Sequence, residues 1–153
     1  MKILDYVCKS CILSDFEARS KTEVLSCLAD ALVEAGVPVD RQQVYKVLEE
    51  REQLGSTGIG NGVAIPHGRL AGLDQMVILV ARSRKGVPFE AVDNEPVHII
   101  FLLLANSEAA TEYLKILARI SKLLRAPGVY ERLLNASGPN GITQVIQEVD
   151  GRS

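Results

Sequence analysis

Apolar side chains recur at helical spacing over residues 20–35, at Val24, Leu25, Leu28, Ala31, Leu32 and Ala35, which predicts an amphipathic helix. Ser20 followed by Glu23 gives that helix a capping box, and Gly36 with Pro38 stops it. A second helix is expected from Asp40, which caps with Gln43, to about Leu54. Val44, Val47 and Leu48 form its apolar stripe, and Gly55 ends it. Residues 63–66 then read as a short strand that Pro66 confines to an edge or an end. Residues 75–83, with Met76-Val77-Ile78-Leu79-Val80 inside them, and residues 97–104 read as buried strands separated by a turn at Lys85-Gly86-Val87-Pro88. The longest helix, over residues 107–125, has a wide apolar face of Leu114, Ile116, Leu117, Ile120, Leu123 and Leu124 and ends at Pro127-Gly128. Two short helices, over residues 129–135 and 142–149, are split by Gly138-Pro139. No internal repeat or long linker interrupts the pattern. Helical and strand signals alternate, so the expected fold class is α/β (or α+β), a single three-layer domain spanning residues 1–153.

Composition narrows the functions available. With 47% hydrophobic and 24% charged residues the chain is ordinary globular material, not a disordered segment. Its 153 residues can bury a sizeable core without a disulfide or a metal. A net charge of -2 gives no general pull toward nucleic acid or anionic membrane. The longest apolar run, residues 99–105, is far short of the roughly 20 residues a membrane-spanning helix needs. No secretory signal is read in residues 1–16. A cytoplasmic protein without direct membrane insertion is expected.

Three cysteines, Cys8, Cys11 and Cys27, fit a reducing compartment. Cys8 and Cys11 form a C-x-x-C pair. As a zinc half-site the pair needs two further ligands, and Cys27, His67 and His98 offer no second pair with ligand spacing. As a thioredoxin-like redox motif it needs a helix opening at the first cysteine, and Cys11-Ile12-Leu13-Ser14-Asp15 does not read as one. The pair is therefore read as small, partly buried, reduced thiols, and neither a metal nor a cofactor is expected.

The chemically suggestive stretch runs from Gly55 to Arg69. A loop with four glycines in eight residues, Gly55-Ser56-Thr57-Gly58-Ile59-Gly60-Asn61-Gly62, leads into a strand that delivers His67 at its end, with Gly68 beside it and Arg69 two residues on. A neutral imidazole is a good nucleophile near pH 7, because its ordinary pKa is about 6.5. Glycine amides can form an anion-binding nest, and arginine offers a fork of donors that matches phosphate oxygens. Arg51, in the last turn of the preceding helix, could aim at the same anion, whereas the neighbouring Glu49, Glu50 and Glu52 read as a solvated charged face. The loop lacks the Gly-Lys-Ser/Thr ending of a P-loop, and Val63 stands where a dinucleotide fingerprint wants Gly or Ala. Residue chemistry alone leaves His67 open as a phosphate acceptor or as a structural or exposed side chain. His98, inside a strand, is expected to face a helix or solvent. Ser56 and Thr57 find no partners for a hydrolytic triad.

The run Arg51-Glu52-Gln53-Leu54-Gly55-Ser56-Thr57-Gly58-Ile59-Gly60-Asn61-Gly62-Val63-Ala64-Ile65-Pro66-His67-Gly68 resembles the signature of the type-2 IIA domains of the bacterial phosphotransferase system. The resemblance is closer to the nitrogen-regulatory branch than to the mannitol or fructose transport branch. It extends over nearly the whole chain, through Asp93-Asn94-Glu95-Pro96-Val97 and the helix carrying Leu114 to Leu124. It implies a mixed β-sheet flanked by helices on both faces. It further implies that His67 is the catalytic residue, phosphorylated on Nε2 as a transferase-like intermediate, and that Arg51, Ser56 and Thr57 stabilise the phosphate. The donor would be HPr or its nitrogen-branch relative, fed from phosphoenolpyruvate through enzyme I. One departure stands out: the family often places a second histidine on the long helix, where this chain has Tyr113. A tyrosine hydroxyl can still donate to a phosphate but carries no positive charge. That departure favours a regulatory phosphocarrier acting on target proteins such as transporters or kinases over a transport component that passes phosphate to a separate IIB protein. No nucleic-acid partner is implied.

Overall fold

Two buried apolar clusters lie on opposite faces of one six-stranded mixed sheet, in a computed structural model that describes residues 1–151. Residues 152–153, at the end of the expected domain, lie outside the described residues. The strands are β1 (Val7–Leu13), β2 (Gly58–Gly60), β3 (Val63–Ala64), β4 (His67–Arg69), β5 (Val77–Val87) and β6 (Val97–Ala105). Their order is β1-β5-β6-β3-β2, and β4 also pairs with β6. β5 and β6 run antiparallel, whereas β1 is parallel to β5 and both β3 and β4 are parallel to β6. One face is covered by α1 (Lys21–Glu34) and α2 (Arg41–Gln53), through Leu28, Leu32 and Leu48. The other is covered by α3 (Ala110–Arg125), α4 (Val129–Leu134) and α5 (Gly138–Asp150), through Ile116, Ile120, Leu133 and Ile146. β6 is covered on both faces and bordered on both edges, which is why Ile99 to Ala105 is an unbroken apolar run. The expected sheet with helices on both faces is therefore the one found.

The helix starts follow their caps. Ser20 Oγ accepts from the Glu23 amide at 3.1 Å and the Asp40 carboxylate accepts from the Gln43 amide at 3.0 Å. Elsewhere long-range contacts overrule the local pattern. Residues 3–13, given no element by periodicity, form a short 3-10 helix (Ile3–Tyr6) and the edge strand β1. Buried Asp150 fastens this segment by accepting from the Ile3 amide at 2.8 Å and from Arg119 Nε at 2.9 Å. The turn expected at residues 85–88 is instead a bulge inside β5. The ladder shifts between the pairs Arg82–Ile99 and Val87–Val97, so the strand rejoins its partner and buries Val87. His98 faces that bulge, with Nδ1 2.9 Å from the Ser83 carbonyl, and is half-buried, partly open to solvent as expected. Gly138-Pro139, expected to split two helices, opens α5, because a proline in the first turn forfeits no helical hydrogen bond. α3 begins at Ala110, later than the expected start at residue 107. Cys8 and Cys11 are not reduced thiols: a disulfide joins them. Among the described residues no helix is long and apolar enough to cross a membrane.

The glycine segment is ordered by packing. Gly58 to Gly60 pair with β3 as the strand β2, where a loop was expected. A Cβ on Gly58 would lie 2.8 Å from the Ala91 Cβ, so only glycine lets the two segments touch. Gly68 matters in the same way. Its missing side chain faces α2, and an added Cβ would sit 2.5 Å from Val47 Cγ1. The contact that the glycine permits is thus with the helix behind β4. Gly68→Ala is expected to lower stability by about 1–3 kcal/mol through overpacking, read as a reduced urea midpoint. Adding Val47→Ala should recover part of that loss; no recovery in the double variant would mean that the contact does not limit the α2–β4 approach.

Candidate functional site

His67 owes its orientation to the proline before it. β3 and β4 run along the same edge of β6, at Val63–Ile99, Ala64–Ile100 and His67–Leu103, with Ile65-Pro66 between them. Pro66 has no N–H to give the ladder, and its carbonyl accepts from the Leu103 amide at 3.0 Å. The Ile65 carbonyl lies 2.6 Å from His67 Nδ1. That acceptor assigns the proton to Nδ1 and leaves Nε2 with its lone pair. His67 thus opens β4; it does not end the preceding strand as expected.

Because β4 is at the sheet edge, side chains from both helical layers reach the imidazole. From one layer, Arg51 at the end of α2 donates Nε–H to His67 Nε2 at 3.3 Å and Nη1–H to the Gly55 carbonyl at 3.0 Å. From the other, Tyr113 on α3 places its ring 6.1 Å from the imidazole, tilted by 53°. Arg69, two residues after His67 and so on the same side of β4, holds its guanidinium 5.4 Å from the Tyr113 ring centre. Burial, opposed by Arg69 and Arg51, raises the Tyr113 hydroxyl above its ordinary range, so it stays a neutral donor.

Ser56 and Thr57 hold the glycine segment. Ser56 Oγ accepts from the Gly58 amide at 3.0 Å and donates to the Phe89 carbonyl at 3.4 Å. Thr57 is buried; its amide donates to Glu52 Oε1 at 2.9 Å and its hydroxyl donates to the other oxygen of the same carboxylate. Glu52 also pairs with Lys21 Nζ at 2.8 Å, and that ammonium sits 4.8 Å from the Phe89 ring centre. Glu52 was expected on a solvated face, yet its side chain is only 5% exposed. A signal for this was available: Val44, Leu48 and Glu52 are four apart and share one face of α2. Lys21, distant in sequence, gave none.

Arg51, Ser56, Thr57 and His67 line a cleft of about 210 Å³ with Ile59, Ile65, Leu117 and Ser121. Tyr113 packs against the imidazole without being part of that lining. Leu117, half-buried against the core, was read from sequence only as part of the apolar face of α3, and half-buried Ser121 was not singled out. Burial lowers the His67 pKa below its ordinary 6.5; the Ile65 carbonyl raises it, Arg51 lowers it and Glu52 raises it. The balance favours a neutral imidazole whose unprotonated nitrogen faces a guanidinium, an arrangement able to take up an electrophile that becomes anionic once bound. Among the described residues no group of three His, Cys, Asp or Glu side chains could hold a metal ion.

Residues 5–149 match the family described as "Phosphoenolpyruvate-dependent sugar phosphotransferase system, EIIA 2". The chain is 39% identical over 146 residues to a nitrogen regulatory protein of Bradyrhizobium diazoefficiens, covering 95% of each. It is 34% identical over 150 residues to the PTS system fructose-specific EIIABC component of Bacillus subtilis, spanning 98% of this chain but 24% of that longer protein. Among solved structures, the nitrogen regulatory protein IIA-Ntr from Neisseria meningitidis superposes with a TM-score of 0.86 at 34% identity, over 93% of this chain and 97% of that one.

Removing the guanidinium tests the electrostatics directly. Arg51→Gln should raise the His67 pKa, because the cation disfavours an imidazolium beside it. The check is an NMR titration of the His67 ring protons in both proteins; an unchanged or lower pKa in the variant would deny that Arg51 acts on the imidazole. The same burial makes the unfolded chain bind more protons than the native one below pH about 6.5, so the contribution of His67 lowers stability as pH falls through that range.

Proposed function

The chain belongs to the EIIA 2 family of the phosphoenolpyruvate-dependent sugar phosphotransferase system, and on that premise we propose that it is a cytoplasmic histidine phosphocarrier of the nitrogen-regulatory branch, acting as one EIIA domain with His67 as the phosphorylated residue. The observation that carries this reading is the imidazole itself, locked through Nδ1 by the Ile65 carbonyl and presenting Nε2 to Arg51 in a cleft beside the glycine segment.

The chemistry needs little else. The Nε2 lone pair attacks the phosphorus of a phosphohistidine on an HPr-type donor. A P–N bond forms to His67 as the donor's P–N bond breaks, and the donor imidazole leaves with that electron pair. Nε2 carries no proton, so none must be removed, and Nδ1–H keeps its bond to Ile65. Positioning and charge stabilisation then carry the catalysis. Arg51 is the cation placed to follow the charge onto the phosphoryl oxygens, with Ser56, Thr57 and Tyr113 proposed as further stabilising residues. Ser56 and Thr57 would act chiefly by holding the glycine segment, since their hydroxyls are already bound to Phe89 and Glu52.

Phosphorylation adds close to two negative charges and three acceptors to the cleft mouth, enough to make or break an interface without refolding the domain. The regulated partners would be transporters or kinases that distinguish the two states; the near full-length match to a nitrogen regulatory protein supports this use. The fructose-specific relative supports a second reading, transfer of the phosphoryl group to a separate IIB protein.

Incubation with enzyme I, HPr and phosphoenolpyruvate should add one acid-labile phosphoryl group, seen as a mass gain that His67→Ala abolishes. Labelling that survives in His67→Ala would remove this residue from the transfer. Arg51→Ala should fold normally and accept phosphate about 10- to 100-fold more slowly, which corresponds to about 1.4–2.7 kcal/mol in the barrier. Wild-type rates in that variant would reduce the arginine to surface charge. Phosphate passing on to an added fructose-type IIB domain would favour the transport reading over the regulatory one.

A further inference from the structure

The C-x-x-C pair is untouched by the phosphocarrier reading, and its setting in β1 gives it a use of its own. β1 pairs with β5 at Val7–Ile78 and again at Ile12–Val80, so β1 takes five steps where β5 takes two. The surplus residues are thrown out of the ladder as a bulge. Cys8 and Cys11 stand at the two ends of that bulge with Cα atoms 5.1 Å apart, where a straight strand would hold them about 10 Å apart. This separation lies within the range a disulfide spans, and the bond closes the bulge at its base.

The two sulfur positions are not equivalent. Cys11 is fully buried in the layer under α1 and α2. Cys8 is half-buried and lines an open cleft of about 520 Å³ with Tyr6, Val37, Pro38, Leu73 and Met76. A bond between residues three apart constrains the unfolded chain least of all, so it adds little as a staple to a domain that already has two apolar cores. Disulfides in reducing compartments are chiefly transient and redox-sensing. Cys27, the free cysteine, is a poor competitor, because burial, then Glu23 and Asp30, push its thiol pKa up.

We propose that Cys8 and Cys11 form a reversible thiol–disulfide couple that clips the β1 bulge, exchanging with small disulfides and thiols of the glutathione class. In oxidation the Cys8 thiolate attacks a sulfur of the small disulfide; a mixed disulfide forms and one small thiolate leaves. Cys11, having lost its proton to solvent, attacks the Cys8 sulfur and expels the second small thiolate. Two electrons pass from the protein pair to the reagent, which ends as two thiols. Reduction runs the same steps backwards and frees the bulge, together with the cleft wall that Cys8 provides. The couple does not depend on whether His67 carries phosphate.

The test uses the full chain equilibrated in glutathione buffers from fully reduced to fully oxidised, quenched in acid, alkylated and analysed by mass spectrometry. The peptide containing Cys8 and Cys11 should lose two hydrogens and two alkylation sites on oxidation and regain both on reduction, while Cys27 stays alkylatable. Hydrogen exchange should show a loss of protection in the reduced protein at residues 7–13, with α3 unchanged. Cys8→Ser should abolish both effects and Cys27→Ser should keep them; Cys8 is the safer site for the control, since a change at buried Cys11 could unfold the chain. Free thiols in fully oxidised buffer, a glutathione adduct that never closes, or equal protection of residues 7–13 in both states would each overturn the proposal.

Discussion

A single hydrogen bond two residues long, from His67 Nδ1 back to the Ile65 carbonyl, sets the rest of the site. It exists because Pro66 breaks the strand along β6. A continuous strand would tend to commit every inward backbone group to its neighbour, and a fully exposed loop would let the imidazole turn. The Ile-Pro-His sequence does neither: it keeps His67 in register with Leu103 and still frees the carbonyl that fixes its tautomer. The edge position then matters as much as the bond. In a central strand, α2 and α3 would be separated by the sheet. At its edge, Arg51 from one layer and Tyr113 from the other meet at one ring.

Holding Arg51 there demands a rigid helix end and a rigid loop, and Glu52 provides both. It lies next to Arg51 in α2 but points inward, taking the Thr57 amide and hydroxyl and the Lys21 ammonium. A carboxylate this buried would be costly alone; three donors, one of them charged, satisfy its oxygens. The result is a chain of fixed groups from α1 through α2 to the glycine segment. Gly68 completes it on the other side by letting Val47 of α2 close onto β4. Residues of α1 and of three successive segments, α2, the glycine run and β4, thus fix the distance between one guanidinium and one imidazole.

The parts of this that were legible in the sequence are the local ones. Ser20 and Asp40 announce their helices because capping is settled within three residues. The buried strands show because a covered strand must be apolar throughout. The Gly55 to His67 run shows because its motif is contiguous. What escaped was decided by distant partners. Edge strand β1 has no clean alternation, being bulged and tied down by Asp150. The β5 bulge looked like a turn, because its return to β6 depends on burying Val87. The role of Gly68 against α2 was not legible, since Val47 is twenty-one residues away in sequence. Glu52 was read with its charged neighbours, although its spacing from Val44 and Leu48 placed it on the buried face.

One consequence follows for the resting site. Arg51 donates to the very lone pair that, on the proposed function, would attack phosphorus. Such a bond orients the nitrogen and at the same time withholds it, so transfer requires that this one contact be given up. The exchange is favourable only when something more strongly accepting than a neutral imidazole arrives, and phosphoryl oxygens are that acceptor. Nη1 is anchored on the Gly55 carbonyl, so one end of the guanidinium has its own acceptor whatever Nε faces. On the proposed function, the cation that screens the empty nucleophile would then be the one that stabilises the filled one. By the same reading the resting hydrogen bond would favour an incoming anion, because a neutral electrophile is a weaker acceptor for Arg51.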